Sequence, residues 1–545
     1  MASAQPMDPT TPPARTSPAG WLLVGLAGVL LVAVWGHQQR VAQVRHIDQD
    51  ELEHLNAASF MARGETIYVD FFENHPPLTH VMLQPVVRGG GGPAAIVARG
   101  RQLSLALSAA ILATVGWLGW RLVGVTGAAL APLLLLTHFF YFQKSMEVRP
   151  DVPSTWLLLL GLAALARGAH RAALPWLFAG GALLATGGLF TPKIVYAAAG
   201  GSLGLAVALV VGPAAARAPV VLRSLGAVAA GVACVCLLAG AEMARRGILG
   251  GFIDDCLRVS LAMSVPDAAG ARAELLRQTF IHNAGVYALG LAGLGVAAAR
   301  GRLRADPWVW VLGASGLVAL AGLFLIRAPL RQYYLSFLPQ LAVLASVALV
   351  VAVDWTGRRV HRFAAVGVGV ALLVVCLAPV RRFLVAEPRA AAAQLATIEK
   401  VLELTDEDDR VLDCWNGLFL GRLPAYRYFY LNPAVWSVLD RAVVERELLG
   451  RLEDPAVKVV LAGNFYTLLP APVRRAVRRD FERVPGTMLM VRRSGRAAPE
   501  QGPEEGPDEG PEARASSRGQ TGQSGQRGQS GQSDQSGQRG RGRLG

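Results

Sequence analysis

Eleven stretches of this chain run uncharged over lengths that approach or reach the thickness of a bilayer, and they leave little room for a soluble fold. They are Trp21–Trp35, Leu103–Trp120, Leu122–Gln143, Val152–Ala166, Ala172–Pro192, Ile194–Ala216, Ser224–Ala241, Asn283–Ala299, Pro307–Ile326, Gln332–Val353 and Phe363–Val380. A hydrocarbon core needs roughly 20 apolar residues per helix. Val152–Ala166 is short, but Pro153 stands where a first helical turn tolerates proline. The pattern predicts a mainly α, polytopic transmembrane bundle of about 11 spans. Residues 1–20 are rich in Pro, Ser and Thr, with Arg15 as the sole basic residue. No small-x-small cleavage site follows Trp35, so the first run is expected to stay as an anchor behind a cytoplasmic N-terminal segment.

Lys and Arg set the expected orientation. With the N-terminus inside, the inner loops carry Arg121; Arg167 and Arg171; Arg217 and Arg223; Arg300, Arg302 and Arg304; and Arg358, Arg359 and Arg362. This satisfies the positive-inside rule. The loops 36–102 and 242–282, and everything after Val380, then lie outside. The formal charge of +14 follows from this distribution. No basic-aromatic module accompanies it, so nucleic acid is not an expected partner. The five cysteines have no disulfide or metal spacing.

After the last span the character changes. Helical patterns over Arg389–Leu404, Asp440–Glu453 and Val473–Glu482 alternate with strand patterns over Arg410–Trp415, Val457–Ala462 and Thr487–Val491. They predict a small extracytoplasmic α/β domain over 385–493, behind a transmembrane module at 21–384. Residues 494–545 repeat Gly, Gln, Ser and Arg with few apolar side chains, the composition of a disordered tail.

The loop after the first span is dense in ionisable groups: Asp48, Asp50, Glu51, Glu53, His54, Asp70, Glu73 and His75. Such groups are costly beside hydrocarbon. Asp50 and His54 share a helical face, and Leu52, Leu55, Ala58 and Met61 form an apolar flank suited to the membrane interface. Gly64 is a helix stop, and His75-Pro-Pro-Leu an extended turn. Imidazoles and carboxylates together raise the question of a metal, but no H-x-x-x-H or H-E-x-x-H pair occurs in one helix. Caps and loop scaffolding account for the histidines better than ligation of zinc or manganese by His46, His54, His75 and His80 with the carboxylates, and no cofactor is expected. Short outer loops also break the charge rule with Lys144, Arg149, Lys193, Arg327 and Arg331. Cations gathered from separate loops suit a shared lipid phosphate, with Tyr333 at the same level. A carboxylate on one side and a phosphate-binding set on the other suit displacement of a lipid phosphate from a sugar. A single base with direct attack predicts inversion.

These segments resemble the first outer loop of the GT-C class of membrane glycosyltransferases, in particular the protein O-mannosyltransferase-like and aminoarabinose-transferase-like group. The resemblance rests on Asp50-Glu51, Gly64, Tyr68-x-Asp70-Phe71-Phe72, His75-Pro-x-Leu78, Glu147-Val-Arg149-Pro-Asp151, Lys193 and Arg331-Gln-Tyr-Tyr-Leu-x-x-x-Pro339. It implies a polyprenyl-phosphate sugar donor, a protein, lipid or glycan acceptor, and an active site on the extracytoplasmic face of the plasma membrane. The family's catalytic acid falls on Asp50, with Glu51 its nearest substitute and Asp48 a third acid beside them. His54, Asp70, His75, Lys144, Arg149, Asp151, Lys193, Arg327, Arg331 and Tyr333 are the expected substrate-binding residues. The rival readings are a transporter, which calls for ionisable groups near the midplane of its spans, a membrane scaffold, and a polymerase or ligase of envelope glycans.

Overall fold

The computed structural model describes residues 18–170, 172–211, 218–264, 267–300, 305–327, 330–377, 390–414, 417–463 and 466–493. Most of the N-terminal segment, the 494–545 tail, Arg171, Arg217, Arg302, Arg304 and Trp415 lie outside the described residues.

The helices run in the order α1 (Pro18–Val44), α2 (Gln49–Ala62), α3 (Leu78–Arg88), α4 (Pro93–Val123), α5 (Val125–Leu136), α6 (Phe139–Lys144), α7 (Asp151–Ala169), α8 (Leu174–Gly188), α9 (Val195–Val211) and α10 (Ala218–Arg245). Four more long helices follow, Ala268–Ala299, Pro307–Gly322, Leu338–Arg359 and Arg362–Leu377. Leaving out α2, α3 and α6, these helices match the eleven apolar runs one for one. Among the described residues seven are long and apolar enough to cross a bilayer, and Val125–Leu136, Leu174–Gly188, Pro307–Gly322 and Phe363–Leu377 are shorter apolar helices. Val32, Leu222, Leu237 and Phe363 point outward from the bundle, fully apolar and exposed. On a soluble surface such a belt is unstable; facing lipid it needs no cover.

Between lipid-facing helices the hydrophobic effect is weak, so close packing of small residues takes over. α8 meets α7 on one side and α10 on the other. Gly181 of α8 and Gly231 of α10 make that second crossing. A Cβ on Gly181 would stand 2.1 Å from the Val228 carbonyl oxygen, and one on Gly231 2.1 Å from that of Phe178. Each glycine therefore admits the other helix's backbone. The long Ala268–Ala299 helix kinks at Asn283 (φ −143°, ψ 20°), whose side chain accepts the Phe139 amide at 3.1 Å.

The C-terminal segment is the expected α/β layer. Strands β1 (Arg410–Asp413), β2 (Leu423–Pro424), β3 (Val457–Leu461), β4 (Phe481–Arg483) and β5 (Leu489–Arg492) form one sheet in the order β2-β1-β3-β5-β4. β1 is parallel to β2 and β3, and β5 is antiparallel to β3 and β4. The parallel β1–β3 crossover is carried by the helix Arg441–Glu453, capped by Asp440. β2 and β4 are two and three residues long. Neither leaves a periodic pattern in the sequence.

Leu52, Leu55 and Ala58 of α2 are fully buried, which corrects the expectation of an apolar flank at the membrane interface. The C-terminal domain covers that helix instead. Phe60 packs on Phe419 and Phe429, Asn56 Nδ2 donates to the Phe419 carbonyl at 2.8 Å, and Gly417 sits against Leu52.

Gly231→Leu is expected to destabilise the bundle by about 1–3 kcal/mol through overpacking. Gly240→Leu on the same helix, where an added Cβ meets nothing within 4 Å, should be close to neutral. Thermal melts of the two variants in detergent check this, and equal melting points would contradict the crossing described.

Candidate active site

The acidic loop folds because Asp48 caps it. Its Oδ1 accepts the Asp50 amide at 3.1 Å, while the Asp48 amide donates to Glu51 Oε1 at 2.9 Å. This capping box starts α2, and Gly64 at φ +100° stops it. Asp48, Asp50 and Glu51 are thereby fixed within the first turn, at one rim of the bundle.

The three acids then part company. Glu51 is fully buried and bound side-on by Arg101, with Nε to Oε2 at 2.9 Å and Nη2 to Oε1 at 2.7 Å. The Val148 amide also donates to Oε2, at 3.1 Å. Arg101 spends its remaining donors on the carbonyls of Ala42, Arg45 and His46. Asp48 and Asp50 stay partly open, with side chains 28% and 31% exposed. Arg149 Nη2 meets Asp48 at 2.8 Å, and Nη1 meets Asp50 Oδ2 at 2.6 Å.

Glu147 is the buried counterweight. It pairs with Lys144 at 2.8 Å, with Arg45 at 2.9 Å and with Arg149 Nε. Lys144 reaches Asp48 as well, at 3.1 Å. Burial alone would raise the Asp48 carboxyl, but Arg149 and Lys144 outweigh it and hold Asp48 well below the usual carboxylate range. Glu147 is lowered in the same way, by Lys144 and Arg149 against its burial. Lys144 and Arg149 are thus committed to carboxylates.

Lys193 and Arg331 differ. Among the described residues neither forms an ion pair with a carboxylate. Lys193 lies over the Tyr333 ring at 4.4 Å, and Arg331 stands 6.0 Å from the Phe139 ring centre with its buried Nε unpartnered. Lys193, Tyr333 and Asp151 line one pocket with Thr155, Thr191 and Gln332. Arg327 is exposed. Asp70 is not brought into the site: it is exposed, and its Oδ2 accepts the Thr66 amide at 2.6 Å to close its own turn.

His54 and His75 gather a second cluster under the first. Ligating atoms of Glu53, His54, Glu73 and His75 all lie within 4.8 Å of one another, so these four could hold a metal ion. His75 Nδ1 is 2.8 Å from Glu73 Oε1 and 3.5 Å from Glu53 Oε1. Burial lifts the Glu53 carboxyl to about 8. Burial would depress His75, but Glu53 and Glu73 raise it to about 9. Burial and the His75 charge push His54 well below its ordinary value.

Sequence reasoning missed Arg45 and Arg101. Arg101 was hidden because the apolar run starts at Leu103, whereas α4 begins ten residues earlier, at Pro93. An arginine two residues from a span, facing an acidic loop, was the available signal.

No protein-family model and no curated protein matches the chain by sequence. Solved structures do match. ArnT from Cupriavidus metallidurans bound to undecaprenyl phosphate aligns with 89% of this chain and 100% of its own, at 13% identity and a TM-score of 0.56. Apo ArnT from the same organism aligns with 87% of this chain and 97% of its own, at 14% identity and a TM-score of 0.54. The oligosaccharyltransferase AglB from Archaeoglobus fulgidus aligns with 81% of this chain and 69% of its own, at 13% identity and a TM-score of 0.48. The resemblance carried by the loop motifs thus extends to the whole architecture: the chain has the polytopic GT-C fold with a C-terminal sheet domain.

Glu51→Ala is expected to cost about 3–5 kcal/mol, because it strands the buried Arg101 guanidinium. Asp50→Asn removes a partly exposed charge and should cost about 1 kcal/mol or less. Melting curves of the purified variants separate the two, and a mild Glu51→Ala phenotype would contradict the structural role of that acid.

Proposed function

We propose that the protein transfers a sugar from a polyprenyl-phosphate donor to an acceptor hydroxyl on the extracytoplasmic face of the membrane. The observation that carries this reading is that Asp50, a partly open carboxylate held by Arg149, lies close enough to Lys193 to act on its charge, while neither Lys193 nor Arg331 forms an ion pair with a carboxylate among the described residues. A base and an anion-binding set on one rim suit a phosphate leaving group. That the ArnT structure holds undecaprenyl phosphate supports the lipid part of the donor.

In this mechanism the acceptor oxygen attacks the anomeric carbon from the face opposite the phosphate. The carbon–oxygen bond to phosphate breaks, the hydroxyl proton passes to Asp50, and the electron pair leaves with the polyprenyl phosphate. Lys193 and Arg331 stabilise the charge that develops there, with the exposed Arg327 as a further cation and Tyr333 holding Lys193 in place. A single displacement inverts the anomeric centre. Glu51 acts through structure, as the anchor of the helix that carries Asp50. His54 and His75 support α2 from behind, and Asp70 shapes its turn.

Sidedness rests on the opposite rim, where Arg121, Arg167, Arg300, Arg358 and Arg359 collect at the other helix ends, the arrangement expected of a cytoplasmic face. The ionisable groups of the site stand at helix ends rather than at midplane, which favours surface chemistry over transport.

Asp50→Asn is expected to lower kcat by about 10²–10⁴-fold with normal membrane insertion and elution profile, the range for loss of a general base. Lys193→Ala should mainly weaken donor use, read as a fall in kcat/KM. The assay follows sugar release from polyprenyl-phosphate sugars by the purified protein. Full activity of Asp50→Asn would overturn the base assignment, and an unchanged envelope glycan profile in a deletion strain would overturn the function.

A further inference from the structure

We propose that Glu53, His54, Glu73 and His75 form a binding site for one divalent transition-metal cation, best matched by zinc, that clasps α2 to the turn before α3. The site is separate from the transfer chemistry and does not depend on it.

The four residues come from two short segments. Glu53 and His54 are consecutive on α2, one turn beyond Asp50. Glu73 and His75 flank Asn74 in the extended turn that the two prolines enforce. The fold lays that turn against α2, and the His54 and His75 rings meet edge to face at 4.7 Å. The donors are mutually within 4.8 Å. A tetrahedral ion with bonds of about 2.1 Å has its donors roughly 3.4 Å apart, so loading requires a contraction of about an ångström.

The second observation is the state of the donors themselves. His54 Nδ1 is buried without a hydrogen-bond partner, while Glu53 Oε1 has only His75 Nδ1 at 3.5 Å and Glu73 Oε2 only His80 Nε2 at 3.3 Å, neither meeting hydrogen-bond geometry. His54, Glu53 and Glu73 are 1%, 5% and 0% exposed. Buried polar atoms are normally satisfied. One orphaned imidazole nitrogen and two weakly held carboxylates, on residues whose donors lie within 4.8 Å of one another, are what a cation would satisfy together. Two carboxylates offset the charge of a divalent ion. Two imidazoles select a borderline metal such as zinc over magnesium or calcium, which prefer all-oxygen sets. His75, the most exposed of the four at 16%, marks the way in.

The surroundings fit a structural ion. His80 Nε2 stands 3.3 Å from Glu73 Oε2, placed to orient that carboxylate, and neither of its own ring nitrogens has a hydrogen-bond partner. Supporting partners of this kind are usual behind metal ligands. On the far side, the Tyr430 hydroxyl lies 3.5 Å from Glu73 Oε1, and the Asn74 amide donates to it at 3.0 Å. The ion therefore ties the first loop both to α2 and to the C-terminal domain. It positions Asp50 through the helix and touches no substrate.

The test uses the full chain in detergent, stripped with chelator and then titrated with zinc chloride alone. Metal content after desalting and the melting temperature are read together. Wild type is expected to retain one zinc per chain and to melt higher when loaded. His75→Ala, on the more open turn, should bind at least tenfold more weakly and lose the zinc-dependent rise, with an unchanged elution profile. Glu73→Gln should behave likewise. His361→Ala, at an exposed histidine far from the cluster, should match wild type. Failure of stripped wild type to take up zinc, or retention of stoichiometric zinc by both cluster variants, would overturn the site. Neither readout involves sugar transfer, so the result stands apart from the proposed activity.

Discussion

The side-on pair between Arg101 and Glu51 holds the first loop on the bundle. One guanidinium reaches the last turn of α1 through the Ala42 and Arg45 carbonyls, the link to α2 through His46, and α2 itself through Glu51. The same carboxylate accepts Val148, which fixes the segment that carries Arg149. A buried ion pair of this kind is weak evidence for stability, because desolvation opposes its attraction. What it supplies is registry. Asp50 can face Arg149 only while Glu51 faces Arg101, since the two acids stand on different faces of one capped turn.

A sequence of alternating grease and charge makes the spans plain and the site obscure. All eleven apolar runs became helices, because an uncharged run of that length has few other places to go. The α/β domain was also legible in its longer elements, while the short strands β2 and β4 had too few residues to show a period. Within the loop, proximity to Asp50 was visible, but its partner was not. Lys144 and Arg149 look identical to Lys193 and Arg331 as misplaced cations. The difference between them lies in Glu147, which folds under α2 and neutralises the first pair. The spacing to Glu147 is local, but the pairing of Lys144 with Asp48 and of Arg149 with Asp50 spans 96 and 99 residues and leaves no local signal.

The C-terminal domain does more than cap the rim. Phe419 and Phe429 close over Phe60, Gln394 exchanges two hydrogen bonds with the Ile47 backbone, and Tyr430 reaches the turn at Asn74. Arg427 adds a pair with Asp255 in the distorted helical segment Phe252–Val259. Loop, domain and a second loop thus share one aromatic core, and the helix bearing Asp50 lies at its centre, covered on all sides but the rim.

That enclosure has a consequence for biosynthesis. α2 leaves the ribosome early, yet its cover arrives last: Asn56 and Phe419 are 363 residues apart. At about 5–20 residues per second the interval is roughly 20 to 70 seconds. Throughout it Leu52, Leu55 and Phe60 lack their mature partners. The cover over α2 is therefore completed only when synthesis is nearly finished, and a chain truncated before Phe419 would lack it.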